Sequence, residues 1–173
     1  MEAIDQLQYH YTLLALGVGE IQSCIDWAAQ RLQHDQEGDD LEVVLLAAPA
    51  NHDEALKLVQ EILERYSGSE RMDKQLVAGK YVASLRPLYL SGRESLASLD
   101  AKLTQLSANL GYPSWLVMLS RNCEYATDMD AFRKPFEQEF EYIASLWSKA
   151  ENLAAFEARY NREVSNAHDA NYG

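Results

Sequence analysis

The chain has 173 residues, 47% of them hydrophobic and 24% charged, which suits one ordinary domain with its own core and excludes a disordered chain. Eight glycines and four prolines are too few for a turn-rich β-sandwich of this length, and two cysteines make no disulfide framework. The net charge of −12 is uneven: residues 1–66 hold 13 acidic and 3 basic side chains, residues 67–122 hold 4 and 7, and residues 123–173 hold 10 and 5. That balance argues against direct nucleic-acid binding, which needs a basic face, and favours a basic protein partner.

Apolar residues recur at helical spacing along nearly the whole chain. Ile4, Leu7, Tyr11 and Leu14 form a first stripe, broken by Gly17 and Gly19. Ile21, Ile25, Ala28 and Leu32, widened by Cys24 and Trp27, form a second that ends in the acidic turn 34–40. Asp39 or Asp40 is placed to cap a short third helix, Leu41–Ala48, which stops at Pro49; a strand over 41–46 is the alternative. Asn51 or Asp53 caps a fourth helix with Leu56, Val59, Ile62, Leu63 and Tyr66. The fifth, capped by Ser69, runs from Met72 to Arg86-Pro87, with Gly79 as a weakening residue inside it.

The sixth helix carries Leu96, Leu99, Leu103, Leu106 and Leu110, a seam of two heptads that reads as an internal contact and leaves a homodimer open. A seventh, Ser114–Asn122, reads as a buried central helix, separated by the polar stretch Glu124–Asp130 from an aromatic eighth bearing Phe132, Phe136, Phe140, Ile143 and Trp147. A ninth follows through Leu153, Phe156, Tyr160 and Val164. The expectation is an all-α, single helical bundle of about eight or nine helices over 1–165, with a flexible tail at 166–173. No secretory signal opens the chain and no apolar run approaches a membrane span, so the expected location is the cytoplasm, with no membrane partner.

Positive evidence for an enzyme is absent from the motifs. His34-Asp35, His52-Asp53 and His168-Asp169 could supply a metal-dependent phosphohydrolase, but each falls at a predicted helix end or in the tail, and only His10 remains to join them. Glu137 and Glu141 share a helix face without the Glu-x-x-His pairs of a di-iron bundle. Gly17-Val18-Gly19 follows a helix where a dinucleotide fingerprint needs a strand. Cys24 and Cys123 read as buried thiols. No catalytic residue, metal or cofactor is expected.

Tyr11-Thr-Leu-Leu-Ala-Leu-Gly-Val-Gly-Glu-Ile-Gln-Ser-Cys-Ile-Asp-Trp-Ala, then Leu32, an acidic loop and Leu41-Glu-Val-Val-Leu-Leu-Ala, resembles the N-terminal helices of small helical immunity proteins from bacterial polymorphic-toxin systems. The resemblance is confined to residues 7–66. It implies a cytoplasmic protein that binds a cognate secreted toxin, the basic partner that the charge suggests, and blocks its active site. The first candidate docking surface is Asp35, Glu37, Asp39, Asp40 and Glu42; the second is Glu124, Asp128 and Asp130. The alternatives are a helical adaptor or scaffold outside any toxin context and, third, the metal-dependent hydrolase.

Overall fold

A computed structural model describes the backbone of residues 3–34 and 40–170, and the side chains of residues 3–34 and 40–162. Among the described residues the chain is all-α: α1 (Ala3–Ala15), α2 (Ile21–Gln33), α3 (Leu41–Ala47), α4 (His52–Ser67), α5 (Lys74–Leu90), α6 (Leu96–Asn109), α7 (Ser114–Asp128), α8 (Arg133–Lys149) and α9 (Leu153–Ala170), with a 3-10 turn at Asp130–Phe132. None of these helices is long and apolar enough to cross a membrane. The backbone contacts group into two compact units, Met1–Met72 and Asp73–Gly173.

The first unit is organised by α4, whose buried residues Ala55, Leu58, Val59, Ile62 and Leu63 follow the helical repeat. Against this stripe pack Leu7 of α1, Cys24 and Trp27 of α2, and Val43 and Leu46 of α3. Each large apolar side chain buried this way contributes about 1.5–3 kcal/mol. Caps set the boundaries. Asp40 accepts from the Val43 amide and Asn51 from the Glu54 amide, which starts α3 and α4. The Gly17-Val18-Gly19 turn ends α1: Gly17 takes φ 77°, and the Gly17 and Val18 amides donate to Leu14 and Leu13, a glycine-terminated helix end.

In the second unit α6 packs on α7, α7 on α8, and α5 on α8. Leu99, Leu103 and Leu106 are buried inside it, so these leucines of the seam that left a homodimer open are used within the unit. Trp147, Phe156 and Trp115 form one aromatic centre: Trp147 stacks on Phe156 at 3.8 Å between centroids, and Trp115 meets Trp147 edge-on at 5.0 Å. Gly79 of α5 lies against the Trp147 indole, where any Cβ would overlap the ring.

Several boundaries differ from the sequence expectation. Helix α5 starts after Asp73, which accepts from the Leu76 amide, and Ser69 is not its cap. It also passes through Pro87 to Leu90. A proline this close to a helix end removes one N–H from the ladder without breaking it, and the stop comes from Gly92 at φ 73°. Helix α7 continues to Asp128 because Cys123 and Ala126 extend the buried stripe of Leu116 and Leu119; of the expected separator Glu124–Asp130, residues 124–128 belong to this helix, with Glu124, Tyr125, Thr127 and Asp128 on its outer face. The same helix is buried on one side only. The backbone is helical through Ala170, across part of the expected tail, and residues 171–173 lie outside the described ones.

Gly79→Ala inverts the usual helix preference. An exposed helical site would gain about 1 kcal/mol from this change; here overpacking against Trp147 should cost about 1–3 kcal/mol. Urea denaturation of the two proteins reads the sign directly.

Candidate functional site

The two acidic surfaces expected from the sequence have different environments. In the first, Asp35, Glu37 and Asp39 lie outside the described residues. Asp40 and Glu42 are engaged within the unit. Arg65 of α4 donates to both carboxylate oxygens of Asp40 at 2.7 and 2.6 Å and to Glu42 at 2.7 Å, while the Tyr66 hydroxyl donates to Asp40 at 2.7 Å. The Asp40 side chain retains only 9% of its exposure. Burial by itself would raise its pKa, but bonds from Arg65, Tyr66 and the Val43 amide outweigh that and hold the carboxyl below its ordinary range. These two acids clamp α3 to α4, and Arg65 pairs with both of them.

The second surface has no such clamp. Glu124 and Asp128 lie four residues apart on α7, and Asp130 opens the following 3-10 turn; all three are exposed. No ion pair reaches them among the described residues. Asp100 of α6, which the sequence reading did not single out, belongs with them. One of its carboxylate oxygens is buried without a hydrogen-bond partner. Burial raises its pKa, and the charges of Glu124 and Asp128 raise it further. Its place four residues after Leu96, beside the leucine seam, is the signal that could have put it at the α6–α7 border.

This arrangement is electrostatically unfavourable in the chain by itself. Like charges at i, i+4 destabilise a helix by about 0.2–0.5 kcal/mol. Asp128 also sits at the C-terminus of α7, where the helix dipole favours cations. Beside these carboxylates the same helix exposes Met118 and Tyr125, 47% and 38% accessible, with Met129 just beyond it at 45%. Exposed thioethers, an aromatic ring and acids without an ion pair therefore lie together on this side of α7.

Other candidate chemistry is not assembled. His34 ends α2, with Nδ1 2.7 Å from the Gln30 carbonyl, and His52 begins α4; both are exposed at helix ends. The side chains of His168 and Asp169 lie outside the described ones. Among the described residues no group of three or more His, Cys, Asp or Glu side chains is placed to hold a metal ion. Glu137 accepts from the Tyr89 hydroxyl at 2.7 Å and Glu141 pairs with Arg86 at 3.3 Å. Compared with known protein families, with characterised proteins and with solved structures, the chain matches none.

Both cysteines are buried and free, and burial pushes each thiol up to about 12. A thiol reagent at pH 8 should therefore react with neither in the native protein and with both in denaturant; stoichiometric native labelling of Cys24 would contradict the buried position. Asp40 supplies a pH test. Its depressed pKa makes a contribution that is present above the unfolded value of about 3.9 and is lost as pH falls through the folded value. Asp40→Asn should lower stability by about 1 kcal/mol at pH 7, and the gap to the parent should close in acid unfolding below about pH 4.

Proposed function

We propose that the chain is a binding protein that neutralises a basic partner, and that the outer side of α7 with the adjoining turn is its docking face. The supporting observation is the Asp100 carboxylate, held without a hydrogen-bond partner for one oxygen in the field of Glu124 and Asp128 beside exposed Met118, Tyr125 and Met129. A surface that lowers stability by itself gains when cationic side chains arrive, and steering by such a field raises association rates. The resemblance at residues 7–66 makes a secreted bacterial toxin the partner, bound so that its active site is blocked. Asp40 and Glu42 contribute by holding α3 in place, and the principal contact falls to Glu124, Asp128 and Asp130.

Glu124→Lys combined with Asp128→Lys should weaken binding to the toxin encoded beside this gene by about tenfold or more, chiefly through a slower on-rate, and should flatten its salt dependence. Asp100→Asn should weaken binding too while leaving thermal stability equal or higher, since it removes a repelled, desolvated charge. Undiminished affinity in the double variant would sink this face as the docking site. A helical adaptor remains the second reading on the same surface. Failure to restore growth against every neighbouring toxin candidate, with a housekeeping complex recovered instead, would favour it.

A further inference from the structure

Helices α1 and α2 do not meet through apolar side chains along their whole length. Gln6, Tyr9 and His10 of α1 lie at i, i+3 and i+4, and Ser23, Asp26, Trp27 and Gln30 of α2 lie at i, i+3, i+4 and i+7. Both sets therefore occupy a single helix face, and together they line an open pocket of about 430 Å³. That volume lies in the range of small-ligand sites. The Leu7, Cys24 and Ala28 core lies behind it, so the polar lining is not needed to join the helices.

The chemistry of the lining selects its ligand. Asp26 is the one carboxylate in the walls, and no lysine or arginine joins it there. Gln22 donates to its Oδ1 at 2.8 Å, which orients the carboxylate. Ser23, Gln6 and Gln30 add neutral oxygen acceptors. Burial lowers the pKa of His10, although Asp26 pulls it upward. The rings suit a planar cation. Tyr9 packs edge-on against His10 at 5.8 Å, and the Trp27 indole is fixed by donating to the Ala3 carbonyl at 2.7 Å. Arg31 places its guanidinium 5.9 Å from the Trp27 ring centroid, so this ring takes such a group within the chain itself.

We propose that the α1–α2 pocket is a separate binding site for a guanidinium group, which would form a forked pair with Asp26 and lie against the Tyr9 and Trp27 rings. A guanidinium matches a carboxylate with two parallel N–H bonds and stacks on aromatic faces, properties an ammonium lacks. An anion would face Asp26 without a compensating donor charge. The site lies on the first unit and does not depend on the α7 face.

The test is a titration of the full chain, followed by amide and indole NMR shifts, with N-acetylarginine methylamide as the probe and the capped citrulline as its neutral isostere. The expected result is saturable shifts confined to residues 6–10 and 23–30 and to the Trp27 indole with the arginine probe, and none with citrulline. Asp26→Asn, a change at an exposed position, should reduce affinity by about tenfold or more, and Glu124→Lys should leave it unchanged. Equal binding of citrulline, equal affinity in Asp26→Asn, or shifts elsewhere would overturn the proposal. An arginine-bearing peptide that binds more tightly than the capped residue would assign the guanidinium to a polypeptide; equal affinity would assign it to a free ligand.

Discussion

The second unit depends on the contact between the Trp147 indole and the bare backbone of Gly79. With no Cβ on α5 at that point, α8 approaches closely enough for Trp147 to stack on Phe156 of α9 while Trp115 of α7 closes the edge. One ring thereby relates four helices. The indole N–H of Trp147 is buried without a partner, a cost of about 1–3 kcal/mol that aromatic burial must offset. Because Trp115 and Leu116 anchor the start of α7 in this centre, the opposite side of that helix, with Glu124 and Asp128, is held towards solvent.

The two acidic surfaces show how equal charges acquire unequal roles. Asp40 is surrounded by a guanidinium, a phenol and a backbone amide, and its charge holds α3 to α4. Asp100 has one buried oxygen with no donor, and the charges of Glu124 and Asp128 add to the effect of burial in raising its pKa. A negative field left unanswered at the end of a helix is poor for folding and useful for meeting a cationic surface. The α1–α2 pocket repeats the principle on a smaller scale, with one carboxylate among neutral acceptors and rings.

The number and order of helices were legible because each carries its own local instructions. Apolar spacing marks a buried stripe, glycine marks an end, and Asn51 or Asp40 marks a start. The errors came where local rules compete. Pro87 reads as a stop, yet one missing N–H near a helix end is tolerated. The stretch Glu124–Asp130 reads as a separator because its acids hide the buried Ala126, which carries α7 on to Asp128. Gly79 reads as a weakness, and only the opposing indole explains it. The helical patterning runs on continuously over 1–165 and carries no mark of the grouping of backbone contacts at Met72.

The amino-acid sequence by itself determined an all-helical chain, its main caps, its buried thiols and its uneven negative charge, because these follow from residue type and spacing along one helix. Only the tertiary structure decided which acids are neutralised and which stand unanswered. Arg65 lies 25 residues from Asp40, and Asp100 lies on a different helix from Glu124 and Asp128. Charge interactions depend on distance through space, and packing sets that distance between helices whose sequences do not state it.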